Sequence, residues 1–345
     1  MTPATELPMS AFPPAPRVAS LTRRDLLQLG VLLGLGGLAG CTRSATPTVM
    51  AAPETLPLLW RRRLPKPWRF SALESSQPWP VGSPAQADLL ALPDGWISTV
   101  AADALQPMAA PSLQNRLSAQ AMEFLAGFAP AQAAALLPVS VSPWVLLFRR
   151  DARLRSAQTD GWRVLLDPAL VGQLVLPSSP RVVMSIAERL DHPDALQRLR
   201  SAALVFDDRH ALNWLLQGKA RAAVLPLVRC MATLRSDPRV HAVLPEQGAP
   251  LHWTVLMRPA QTREPLPQSW VEEAWMPPLL GRLLRDGWVP PLPPAELQQA
   301  RHLVPTRLQS VVLPSQQIWD QCWSFPPLTV KERSVLEARW SASAP

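Results

Sequence analysis

The sequence predicts an α/β protein of two lobes, with helices covering both faces of each sheet. Three observations lead there. Short apolar runs bounded by turn residues alternate with helical stretches. A signal-like opening leaves 305 of the 345 residues, more than one hydrophobic core usually holds. Forty-one prolines and the lack of any repeat at 20 to 50 residues exclude coiled coils and solenoids.

The elements follow in order. Residues 87–92 (ADLLAL) form a short apolar run stopped by Pro93, Asp94 and Gly95, which reads as a buried strand and a turn. Residues 114–125 space Leu117, Met122 and Leu125 as a helix, and 139–148 and 172–176 read as strands. Helices follow at 181–190 and 209–217, the second ending at Gly218, a plausible C-cap. Strands at 220–225 and 240–244 close the series.

The opening fixes a compartment. Residues 26–39 are 14 long with Gln28 and four glycines, too short for a membrane-spanning helix of about 20 residues. They match the apolar part of an export signal, and Arg23 and Arg24 sit where a twin-arginine signal carries its pair. Leu38-Ala39-Gly40-Cys41 resembles a lipobox, in which the cysteine is lipidated and becomes the first mature residue; cleavage nearby with a free Cys41 is the other reading. The expected divisions are a signal peptide at 1–40, a lipid-anchored tether at 41–57, and a periplasmic protein held to a membrane through Cys41.

Removing residues 1–40 takes away Arg17, Arg23, Arg24, Glu6 and Asp25, lowering the net charge from +8 to +7. The arginines are dispersed apart from Arg61-Arg62-Arg63, and no nucleic-acid motif accompanies them. That run is either a solvated face or a patch drawn to anionic headgroups near the tether. No G-x-S-x-G elbow, P-loop, H-E-x-x-H or C-x-x-C is present, and the five histidines are scattered; the chain reads as a non-enzyme without cofactor or metal. A ferric site on tyrosines is excluded, because there is no tyrosine.

Residues 167–176 (DPALVGQLVL), 213–224 (NWLLQGKARAAV), 244–250 (LPEQGAP) and the strand 253–257, in that order, resemble the solute-binding proteins of ABC importers. The spermidine/putrescine-binding members, of the type II periplasmic class, are the nearest in pattern. The resemblance covers about 87–291, with 274–289 in the place of a late first-lobe helix. It implies two α/β lobes joined by crossover strands at 138–148 and 244–257, with lobe 1 at 58–140 plus 250–300, lobe 2 at 141–249, and a tail at 301–345 packing across them. It also implies a monomer that binds a small solute between the lobes and delivers it to a membrane permease. A non-transport accessory lipoprotein that binds a protein partner shares every one of these motifs.

The resemblance further implies where acids should sit for a polyamine, and three departures appear. The turn after strand 174–176 is Pro177-Ser178-Ser179-Pro180, without a carboxylate. Thr254, after Trp253, stands where the family has an aspartate. Residues 58–63 put cations where a polycation would dock. Buried ammonium groups need carboxylates, so spermidine is expected to bind weakly or not at all, and a neutral or anionic solute fits better.

The candidate contacts are Asp94, Trp96, Ser142, Trp144, Ser178, Ser179, Asp207, Trp253 and Thr254. Trp144 reads equally as hinge packing, Asp94 to Trp96 as a turn, and Asp207 as a helix cap before it reads as a contact. Cys230 and Cys322, the remaining thiols of an exported chain, are a candidate disulfide or two buried free cysteines.

Overall fold

A computed structural model describes residues 46–73, 87–149, 157 and 159–345. Arg23, Arg24 and Cys41, expected to direct export and carry lipid, lie outside them.

One strand organises the molecule. β5 (Leu136–Arg149) has fourteen residues, thirteen of them buried. Its sequence LLPVSVSPWVLLFR offers apolar or small side chains on both faces, the pattern of a strand covered on both sides. The sheet order is β2 (Arg69–Ala72), β1 (Thr48–Ala51), β3 (Leu89–Pro93), β10 (Leu251–Pro259), β5, β8 (Ala222–Pro226), β6 (Leu174–Leu176) and β7 (Ala203–Phe206). β4 (Leu105–Gln106) joins β10, and β9 (Val240–Val243) joins β5.

β5 changes partners midway. Leu136 to Pro143 run antiparallel to β10, whereas Trp144 to Phe148 run antiparallel to β8. Proline has no N–H for a ladder, and the two prolines of β5 mark the irregular points. Pro138 flanks the bulge where Thr254 faces Ser140 but Val255 faces Pro138, and Pro143 is the last residue paired with β10. The molecule therefore has two mixed sheet halves sharing β5. In the first, β1, β2 and β3 are mutually parallel; in the second, β6, β7 and β8 are.

The helices used below are α1 (Ala119–Ala126), α2 (Pro180–Ala187), α3 (Ala211–Leu216), α4 (Leu227–Ser236) and α5 (Val330–Ala342). The helix expected at 114–125 begins at α1 instead, because the Ser118 hydroxyl accepts from the Ala121 N–H and starts a new helix there. α3 stops before Gly218, whose φ of +74° suits a residue without Cβ.

The tether expected over 41–57 is corrected from Thr48 onward. β1 sits between β2 and β3 in the sheet, with Val49 and Ala51 fully buried. Its four-residue TVMA is held by pairing on both edges, which composition does not reveal.

The disulfide is likewise corrected. Cys230 lies on α4, where its thiol donates to the Leu227 carbonyl at 3.1 Å, while the Cys322 thiol donates to Ile318 at 3.4 Å. Both are buried and free. Burial pushes each thiol up to about 12.

The end of the chain touches both halves. Trp323 exchanges backbone bonds with Ala249 and Leu251 (3.0 and 2.8 Å), and Ser324 accepts from the Trp253 indole at 2.9 Å. Arg181 of α2 donates to the Pro326 carbonyl at 2.5 Å. α5, opened by a capping box of Thr329 and Glu332, pairs Arg339 with Glu188 and sets Trp340 against Phe206 and the Arg200 guanidinium. Among the described residues no helix is long and apolar enough to cross a membrane.

Candidate functional site

In open α/β sheets, ligand crevices form outside the carboxyl ends of the strands. Here two sets of three parallel strands, running toward each other from the two halves, deliver to one place. β1 leads into Glu54 and Thr55, β2 into Leu73, β3 into Asp94 to Trp96, β6 into Ser179 and Arg181, β7 into Asp208 and Arg209, and β8 into Val228 and Arg229; all of these residues line one cavity of about 440 Å³. That volume suits a small solute.

The floor comes from the antiparallel pair. Side chains alternate along a strand, so Ser140, Ser142 and Trp144 of β5 share a face, as do His252 and Thr254 of β10. Register places His252 opposite Ser142 and Thr254 opposite Ser140, and all five line the cavity. Trp253 falls on the other face and is corrected as a candidate contact. It is fully buried, stacks on Phe124 of α1 at 4.7 Å, and spends its N–H on Ser324.

Of the remaining candidates, Asp94, Trp96 and Ser179 also line the cavity, whereas Ser178 and Asp207 do not. Both are taken up by the turns of the second half. The Ser178 backbone N–H donates to Asp208 at 3.1 Å and its hydroxyl bonds the other carboxylate oxygen. Asp207 accepts the N–H groups of Arg209 and His210 at 2.8 Å each and meets the His210 ring at 3.0 Å. Desolvation pushes its carboxyl up, but those bonds and one from Trp214 outweigh it and hold Asp207 below the usual carboxylate range.

The polar groups divide by wall. On the first half Asp94 lies 3.4 Å from His252 Nδ1, and His252 packs edge-on to Trp144. The Ser142 hydroxyl accepts from the Val228 N–H at 3.0 Å, tying the floor to the first turn of α4. On the second half stand Arg181, Arg209 and Arg229. Desolvation pushes the Arg181 guanidinium below its ordinary value, partly offset by the charges of Asp94 and Glu332. Arg181 also lies over the Phe325 ring at 5.0 Å.

Sequence reading missed these arginines and His252, Glu54, Thr55 and Phe325. It also put residues 58–63 near the ligand; they lie elsewhere. Arg63 pairs with Glu273 at 2.8 Å and Arg61 covers Phe70 at 4.5 Å. Among the described residues no three His, Cys, Asp or Glu side chains gather as a metal site.

Solved structures decide the fold. The spermidine/putrescine ABC transporter substrate-binding protein of Streptococcus pneumoniae superposes with a TM-score of 0.64 over 86% of this chain and 99% of its own, at 10% identity. The chain carries the periplasmic-binding-protein fold. A lipoprotein of Treponema pallidum gives 0.62 over 87% and 99% at 10% identity, and a periplasmic thiamin-binding protein gives 0.58 over 87% and 96% at 13% identity. No family model and no curated protein matches the sequence. Within this fold, the mixed α/β sheet flanked by helices positions the cavity just described.

Proposed function

We propose that the protein is the solute-binding component of an ABC-type importer, exported and anchored through lipid on Cys41, with no catalytic role. The observation that carries this reading is the cavity at the carboxyl ends of two sets of three parallel strands, one set from each sheet half. The two halves are the two lobes, β5 is one crossover between them, and closure over the solute brings the walls together. Loading then presents the closed form to a membrane permease. The fold shared with substrate-binding proteins of named ABC transporters supports this role.

The test is a thermal-shift screen of the purified protein against amino acids, organic acids, polyamines, vitamins and inorganic ions. A ligand that binds only the folded state raises the melting temperature by mass action. A rise with one chemical class supports the reading; no rise with any class overturns it in favour of a scaffold for a protein partner. Membrane attachment is checked separately. Cys41→Ser should move the protein to the soluble fraction, and replacing Arg23 and Arg24 by lysines should stop export.

A further inference from the structure

The charges of the cavity are not evenly spread. The loops after β6, β7 and β8 bring Arg181, Arg209 and Arg229 to one wall. Of the three acids that line the cavity, Asp94 lies beside His252 and Asp208 accepts from both donors of Ser178. Glu54 is exposed and stands on the opposite wall, after β1. Among the described residues neither Arg209 nor Arg229 has a side-chain partner. Arg181, half-buried, has among the described residues only the neutral Pro326 carbonyl as a hydrogen-bond acceptor and the Phe325 ring beneath it, while Asp94 and Glu332 act on it through charge without bonding it.

A guanidinium drawn out of water is costly unless an anion answers it. Arg181 has five N–H donors, and among the described residues only one bond, to Pro326, is made by them. The first turns of α2 and α4 open onto the same wall, adding the positive ends of two helices. The flanks are apolar and aromatic: Trp96, Trp144, Trp288 and Phe325. Thr55 lines the first wall, but its hydroxyl is buried and without a partner among the described residues.

We infer that the solute is a small organic anion, a carboxylate or phosphate on a planar apolar body, whose anionic group is held by Arg181 and Arg229 while its body lies among the cavity aromatics. This rests on the proposed solute-binding role and names its ligand class. A polyamine fits less well, because its ammonium groups would face three guanidiniums, while of the three lining acids Asp94 lies beside His252, Asp208 is held in a turn by Ser178, and Glu54 alone has no side-chain partner among the described residues.

The experiment uses one phenyl series at millimolar concentration: benzoate, phenyl phosphate, benzyl alcohol and benzylamine, with spermidine beside them, read by melting temperature and tryptophan fluorescence. Benzoate or phenyl phosphate should stabilise the protein while the neutral and cationic members do not, and the stronger of the two separates carboxylate from phosphate recognition. Arg181→Gln and Arg229→Gln should each weaken that anion about tenfold, the loss expected for a charged hydrogen bond. Arg181→Lys should retain part of the affinity. Arg229 is exposed, so its variant tests the idea even where Arg181→Gln folds poorly. Preference for benzyl alcohol, benzylamine or spermidine overturns the inference and leaves the solute-binding role standing. Silence from the whole series also overturns it, and the wider screen then decides the role. Unchanged anion affinity in both glutamine variants overturns the placement.

Discussion

The two walls of the cavity are built by the same device and carry opposite chemistry. Each collects loops from the carboxyl ends of three parallel strands. The first half presents Glu54, Thr55, Asp94 and, on the floor, Ser140, Thr254 and His252; the second presents three arginines, two helix starts and one acid, Asp208, bonded to Ser178. On the proposed role, the fold fixes where a ligand would sit, while the residues that follow the strands fix which charge it would carry. A ligand with one charged end has a defined orientation in such a site.

Two tryptophans one cavity face apart give the largest contrast. Trp253→Ala removes a fully buried ring that stacks on Phe124, and should cost about 3 to 5 kcal/mol of stability. Trp96→Ala, at the cavity mouth and 43% exposed, should change stability by less than about 0.5 kcal/mol while weakening the ligand. Chemical denaturation of both variants checks this; equal losses would place the two side chains in like surroundings.

Next comes a glycine pair with the same backbone and different space. Gly248 and Gly172 have φ of +76° and +69°. A Cβ at Gly248 would lie 2.2 Å from the Gln321 carbonyl oxygen, whereas one at Gly172 meets nothing within 4 Å. Gly172→Ala should cost about 1 kcal/mol of strain and Gly248→Ala about 3 kcal/mol or more. Comparable melting temperatures would mean that the tail segment around Gln321 does not press on the 244–250 loop.

The buried thiols give a pH prediction. Cys230 and Cys322 are pushed up to about 12 by burial, above the free thiol near 8.5. A raised folded value means the folded state holds the proton more tightly. The resulting stability is complete below about pH 8.5 and is lost as pH rises toward 12. Alkylation of the native protein at pH 8 should be slow for both, and both should react after denaturation without reductant; failure to react then would reveal a disulfide.

The smallest effect belongs to the acid that opposes Arg181 across the cavity. Asp94→Asn removes its attraction for that guanidinium and should strengthen an anionic ligand about threefold. Calorimetry with the best anion of the phenyl series measures it, and a weaker complex would assign Asp94 to direct ligand contact.

Much of this comparison is legible in the sequence. The strand runs 139–148, 220–225 and 240–244 fall within or overlap β5, β8 and β9, because long apolar runs with clear stops are local signals. Ser142, Trp144 and Thr254 could be named from their crossover strands. Trp253 could not be separated from Thr254, since adjacent residues point to opposite faces and only register says which face is the cavity. The arginines carried no motif. Arg181, Arg209 and Arg229 are scattered in the chain and become a wall only when β6, β7 and β8 are set side by side. β1 hid in a small-residue stretch because its stability comes from partners at 69–72 and 89–91.

β5 has a mechanical meaning. A joint made only of free linkers lets its bodies slide and twist independently, but these two halves are also hydrogen-bonded to opposite ends of the one strand β5. Translation along the strand would break both ladders at once. The soft motions left are bending and torsion at the few residues around Pro143, where the backbone passes from the β10 ladder to the β8 ladder. Ser142 and Trp144, on either side of that point, line the cavity, so under the proposed role a solute seated there would press on this joint, and its grip and the angle between the halves would be one variable.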